Sequence, residues 1–167
     1  MYITPAKIRE DIGSLYPMLF GSRCMAMRAA VDGFDPALMI GAQITQHTDW
    51  DYSISYSDKH CEHLLSAGYT LYSGGQLSPY ADSLTQAVAI KEYLDADSLF
   101  PIHTVNVVLH SDEALFRQVW RSIDAEFYYQ HLWKRSPYYD GLDDSGEIKT
   151  TIKGIMNQLY STAREMI

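Results

Sequence analysis

The chain has 167 residues, 47% of them hydrophobic and 20% charged, which is the size of one ordinary globular domain rather than two. A chain of this length buries about two thirds of its unfolded surface, so its core needs no disulfide or metal staple, and the isolated pair Cys24 and Cys61 reads as reduced, buried thiols. The formal charge of −8 disfavours a general charge-driven grip on nucleic acid, and no run approaches the ~20 apolar residues of a membrane span or has the form of a signal peptide. The expectation is a soluble, cytoplasmic protein with no membrane partner. The charge is uneven: acids are frequent from Asp32 to Asp112, whereas Arg117, Arg121, Lys134, Arg135, Lys149 and Lys153 lie in the last third and leave room for a local basic face.

Thr4-Pro5 is a helix start, and Ile8, Ile12 and Leu15 follow at helical spacing, which predicts a first helix to about Tyr16. Pro17 to Phe20 is a short apolar run that stops at Gly21-Ser22, after which Cys24 to Val31 suits a second helix. Residues Asp32 to Thr48 hold Gly33, Pro36 and Gly41 without a clear period and read as an irregular insertion. From Thr48 to Tyr56 the residues alternate, with Asp49, Asp51, Ser53 and Ser55 on one face and Trp50, Tyr52, Ile54 and Tyr56 on the other, which predicts a strand with one apolar face.

Ser57 is placed to cap a helix through Leu65 that ends at Gly68, and Tyr69 to Tyr72 suits a short strand before the Gly74-Gly75 turn. Leu84 to Leu94 fits either a helix or a strand, whereas Ile102 to Leu109, entered through Pro101 and rich in β-branched residues, is the clearest strand. Asp112 opens a helix with Leu115, Phe116, Val119 and Trp120 on one side, and Asp124 is read as the cap of another through Trp133. A final helix carries Ile148, Ile152, Ile155, Leu159 and Ala163. The fold class expected from this order is α+β or α/β.

Asp49-Trp50-Asp51 carries the main chemical signal, because side chains two apart on a strand point the same way and bring two carboxylates to one cation. Hard carboxylate oxygens suit Mg²⁺ or Mn²⁺. An Asp-x-Asp on a strand face is commonly just solvated, but Gly21-Ser22 at a strand end offers backbone N–H groups and a hydroxyl to a phosphate. His60, Cys61 and His63 share one short helix, and their spacing can serve zinc, although no second ligand pair accompanies them. Trp133-Lys134-Arg135 mixes cations with an aromatic ring, which suits a base or a phosphate and equally suits a helix end. Thirteen tyrosines and three tryptophans also permit a partner surface or a homodimer.

Leu19-Phe20-Gly21-Ser22-Arg23 followed by Thr48-Asp49-Trp50-Asp51-Tyr52 resembles the Gly-Ser and Asp-x-Asp signature of the nucleotidyltransferase fold superfamily. The strand Ile102 to Leu109, with Ser111-Asp112-Glu113 and a Trp-bearing helix after it, is similar to the third strand of small phage-type members, and the resemblance spans about residues 15 to 135. It implies one α+β domain over residues 1–167, with a mixed sheet flanked by helices, a core over about residues 5–123 and a C-terminal helical part over about 124–167. It also implies transfer of an NMP group from a nucleoside triphosphate onto a hydroxyl of RNA, protein or a small molecule, in host-cell cytoplasm if the phage likeness holds.

Carried over residue by residue, the nucleotide contacts are Gly21, Ser22 and Arg23, the catalytic metal ligands are Asp49 and Asp51, and Lys134 and Arg135 are candidate substrate contacts. Two departures stand out. The Ser22 to Asp49 gap is longer than the family's usual loop, and Asn106 occupies the strand position expected for a third carboxylate. An amide oxygen can coordinate a metal but is no base. Glu92 is another candidate acid, and Asp112 is better explained as a helix cap. The alternative expectation is a catalytically inactive relative that binds a nucleotide, RNA or protein partner.

Overall fold

In the computed structural model, the described residues are 5–21, 23–24, 49–73, 84–94, 102–131 and 133–135. Ser22, the expected second helix beyond Cys24, the Asp32 to Thr48 insertion, the Gly74-Gly75 turn and the final helix lie outside them. Helix α1 (Pro5–Ile12) buries Ile8 and Ile12 completely. It stops earlier than its period suggests, passing into a 3-10 turn over Gly13–Leu15 and ending at Tyr16, a non-glycine residue with φ 51°. Strand β1 (Met18–Phe20) follows and is wholly buried, the chain turns at Gly21, and Arg23 and Cys24 then have helical geometry.

Strand β2 (Trp50–Ser55) leads to helix α2 (Asp58–Ser66), whose first turn is capped where the sequence places the cap: Ser57 Oγ accepts the His60 N–H at 3.1 Å. The helix buries Cys61 and Leu64 and ends at Gly68, whose φ of +93° is a conformation glycine adopts without a Cβ penalty. Strands β3 (Thr70–Ser73), β4 (Thr85–Leu94) and β5 (Ile102–His110) complete the sheet, so the ambiguous Leu84 to Leu94 stretch is a strand.

The described strands form one mixed sheet in the order β1-β2-β5-β4-β3, in which only β2 and β5 run parallel. The architecture is therefore α+β. Strand β5 lies at its centre, and every residue from Val105 to His110 is buried, as expected of a strand covered on both faces. The expected polar face of β2 is covered too: Ser53 is buried and its Oγ lies 2.8 Å from His110 Nε2 on β5. Alternation alone would send Ser53 to water, but a serine with a partner across the ladder tolerates burial.

Helix α3 (Glu113–His131) is one continuous element, where two helices are expected from the sequence. Asp112 caps it, with Oδ1 accepting the Leu115 N–H at 3.1 Å. Asp124 caps nothing in α3, because it sits in the helix interior and is 2% exposed. The buried face is narrower than predicted. Phe116 and Trp120 pack inward, while Leu115 and Val119 are exposed. Phe20 of β1 meets both inward rings edge-on, at 5.5 Å from Phe116 and 4.9 Å from Trp120 between centroids. That aromatic contact clamps α3 across β1, and it fixes which residue of the helix faces the chain just after Phe20.

On the other side of the sheet order, Asp11 of α1 ties the helix to β4. Its Oδ2 accepts from Lys91 Nζ at 2.7 Å and from the Tyr93 hydroxyl at 2.6 Å, and Lys91 also donates to the Ala67 carbonyl oxygen. Tyr69 and Tyr93 hydroxyls are 2.8 Å apart, so the buried phenols of β4 and the segment before β3 are satisfied by the same network.

Candidate functional site

Parallel pairing sets Asp51 of β2 directly beside Asn106 of β5. Neighbours across a ladder share a face, and Asp49, two residues earlier, points the same way as Asp51. The side chains meet accordingly: Asn106 Nδ2 donates to Asp51 Oδ1 at 3.1 Å and reaches Asp49 Oδ2 at 3.3 Å. Asn106 is 6% exposed and Asp49 is open to solvent, so the cluster runs from the sheet interior to its rim. Two anions this close repel, and the amide N–H₂ group offsets that by donating to both.

The turn after β1 closes one side of this cluster. Gly21 is buried with φ +76°, and a Cβ added there would lie 3.1 Å from Asp51 Oδ2. Glycine is required twice over, by its left-handed backbone and by the close approach of a carboxylate. The Gly21 N–H donates to Asp124 Oδ2 at 3.2 Å. Two residues on, the Arg23 guanidinium carbon lies 4.4 Å from the centroid of the Trp50 ring. Burial lowers the Arg23 pKa from its ordinary value, with Tyr52 and the carboxylates of Asp49 and Asp51 pulling the other way. An arginine stays charged in any case, so it brings a fixed cation to the acidic pair.

The sequence-predicted residues Gly21, Arg23, Asp49, Asp51 and Asn106 thus converge, while Ser22 lies outside the described residues. Asp124 was not among them. Its signal is readable in retrospect, because Phe116, Trp120, Asp124 and Tyr128 recur every four residues and only one of them is charged. A carboxylate on an apolar helix stripe needs a partner, and here the Gly21 amide is one.

Other candidates are drawn into structural contacts. His60 Nδ1 lies 2.6 Å from the Ser55 carbonyl oxygen, and His63 Nε2 lies 2.8 Å from that of Asp11, so the two imidazoles engage different elements. Burial, with the Asp124 charge, pushes the Cys24 thiol well above its ordinary value, which keeps it protonated and unreactive. Lys134 Nζ sits 5.3 Å from the Tyr129 ring centroid, and Arg135 belongs to a 3-10 turn, Trp133–Arg135, after α3. Glu92 pairs with Thr104, two residues along β5 from Asn106, and is therefore on the same sheet face and exposed.

Among the described residues no three His, Cys, Asp or Glu side chains group as a metal site. The donor set open to a divalent cation is Asp49, Asp51 and the Asn106 amide oxygen, all hard oxygen ligands of the kind Mg²⁺ takes. Two carboxylate oxygens face one point, the Asn106 Nδ2 donor, so the amide oxygen would join them on a cation only after the side-chain amide turns over. No helix among the described residues is long and apolar enough to cross a membrane. Comparison with known proteins returns no matching family model, no matching curated protein and no matching solved structure.

Proposed function

We propose that this chain is a nucleotidyltransferase-like protein that moves an NMP group from a nucleoside triphosphate onto a hydroxyl of RNA, protein or a small molecule. The observation that carries the reading is the convergence of the Gly21 turn, Arg23, Asp49, Asp51 and Asn106 where the start of β2 pairs with the middle of the parallel strand β5. A divalent metal held by Asp49, Asp51 and Asn106 would neutralise charge on the phosphates. Arg23 supplies a guanidinium whose planar fork suits a phosphate, and Ser22, next to Gly21, is the expected hydroxyl contact.

In the transfer, the acceptor oxygen forms a bond to the α-phosphorus as the bond to pyrophosphate breaks. The acceptor proton needs a base. Asn106 has no proton affinity to offer, so that role falls to Asp49 or Asp51, which then serve the metal and the proton together. This double duty favours slow transfer, and it supports a second reading: a relative that keeps the nucleotide site and has given up catalysis. The amide in place of a third carboxylate is the specific observation behind it.

Label transfer from each α-labelled nucleoside triphosphate, with Mg²⁺ or Mn²⁺, into total RNA and protein tests the first reading. Labelling that depends on Asp49 and Asp51 is the expected result. Nucleotide binding without any labelling selects the second reading, and labelling retained in Asp49→Asn and Asp51→Asn removes the first.

A further inference from the structure

The Asp124 carboxylate is almost fully buried, 103 residues away in sequence from the glycine it contacts, and it lies on the apolar stripe that packs α3 against β1. Stability alone argues against an acid there. A buried carboxylate costs several kcal/mol unless hydrogen bonds compensate it, about the worst choice for an interior helix position. Its neighbours one and two turns earlier, Trp120 and Phe116, both pack on Phe20, so the geometry of the clamp delivers the next turn of the helix to the next residue of the chain, Gly21.

Gly21 is flanked by two carboxylates. On one side its N–H bonds to Asp124 Oδ2, and on the other its Cα faces Asp51 Oδ2, while Asp51 Oδ1 accepts from Asn106. A peptide unit at the end of a strand, with left-handed φ, has no ladder partner to hold it. An acceptor from a rigid 19-residue helix supplies that hold. The Gly21 backbone in turn limits where Asp51 Oδ2 can go.

We propose that Asp124 is a positioning residue for the acidic site: it anchors the Gly21 amide and through it keeps the Gly21 backbone seated against Asp51. The effect on nucleotide binding rests on the reading given under Proposed function, whereas the anchor itself does not. Asp124 touches no substrate in this scheme. It acts by fixing the Gly21 backbone two residues before Arg23, the guanidinium that the proposed function assigns to the phosphates.

The test compares wild type with Asp124→Asn, which keeps an acceptor oxygen, and Asp124→Ala, which does not. Amide hydrogen exchange at Gly21 and the Asp51 amide chemical shift are read by NMR, and the affinity for Mn²⁺ with a non-hydrolysable nucleoside triphosphate is read by calorimetry on fully folded protein. In Asp124→Ala, Gly21 exchange should rise by at least about tenfold, the Asp51 amide should shift, and nucleotide affinity should fall by about tenfold, the size of one lost buried hydrogen bond. Asp124→Asn should bring exchange and affinity to within about threefold of wild type and return the Asp51 shift, which a role confined to global stability would not do for affinity. Gly21 exchange and the Asp51 shift unchanged in Asp124→Ala would overturn the anchor. A released Gly21 with unaltered nucleotide affinity would overturn the positioning role. If wild type binds no nucleotide while Gly21 is still released and Asp51 shifts, the nucleotide reading falls and the anchor stands.

Discussion

Asn106 Nδ2 stands 3.1 Å from Asp51 Oδ1 and 3.3 Å from Asp49 Oδ2, so a neutral amide does in this protein what a cation or a third ligand would do elsewhere. Asn106→Asp exchanges that donor for a third negative charge. Without metal it should destabilise the fold by about 1.5–3 kcal/mol, the scale of losing a hydrogen bond to a charged group. For a chain of this size that is about 3–12 °C in Tm. Millimolar Mn²⁺ should recover most of the loss, because the added carboxylate strengthens a hard oxygen site. Thermal denaturation with and without Mn²⁺ reads both effects, and a Tm indifferent to the ion would contradict the site.

Gly21→Ala should cost about 1–3 kcal/mol, combining the left-handed φ of +76° with a methyl group 3.1 Å from Asp51 Oδ2. The neighbour that would have to give is the Asp51 carboxylate, a ligand in the proposed metal site. Denaturant midpoints measure the stability change, and a parallel loss of Mn²⁺ binding should accompany it. An alanine variant as stable as wild type would mean the turn relaxes freely.

His110 is fully buried, stacked 4.4 Å from the Phe116 ring, and burial depresses its pKa below the ordinary value despite the nearby charges of Glu113 and Asp112. The unfolded chain therefore binds a proton at a higher pH than the folded one does. The contribution to stability is complete above the unfolded value of about 6.5 and is lost as the pH falls through the folded pKa. Wild type should lose stability to urea between pH 7.5 and 5.5, and His110→Gln, less stable overall, should show a flatter profile over that range. Equal slopes would assign the loss to other groups.

Asp11 is shifted in the same direction by a different cause. Burial pushes its carboxyl up, but hydrogen bonds from Lys91 and Tyr93 and the Lys91 charge outweigh that and leave it below its ordinary value of 3.8. Its contribution is present above that unfolded value and is lost as the pH falls through the lower folded one. Lys91→Met should cost about 1–3 kcal/mol at neutral pH by leaving a partly buried carboxylate short of a donor. The penalty should shrink as the pH approaches 3. Urea midpoints for the variant and wild type from pH 7 to pH 3 supply the comparison.

Much of this was legible in residue pattern. The Ser57 cap, the Gly68 stop and the β-branched strand at Ile102 announce themselves because each is fixed by local chemistry. The shared face of Asp49 and Asp51 was legible as well, since period-two alternation sets it, whereas Asn106 entered only through the family resemblance and its place beside Asp51 needed the pairing of β2 with β5. What pattern could not reveal depends on partners far along the chain. Ser53 is polar yet buried because His110 sits across the ladder, and Asp124 looks like a cap until Gly21 is found beside it. Local signals name donors and acceptors, and only tertiary contact says which donor meets which acceptor.

Under the proposed function, Asp49, Asp51 and the Gly21 turn form one site for a metal-bound nucleotide. Calorimetric titration of Mn²⁺ with a non-hydrolysable nucleoside triphosphate into wild type, Asp49→Asn and Asp51→Asn tests it most directly. One equivalent should bind wild type, and each variant, still folded by circular dichroism, should lose at least about tenfold in affinity, or about 1.4 kcal/mol. Variants that bind as tightly as wild type, or a wild type that binds no nucleotide at all, would contradict it.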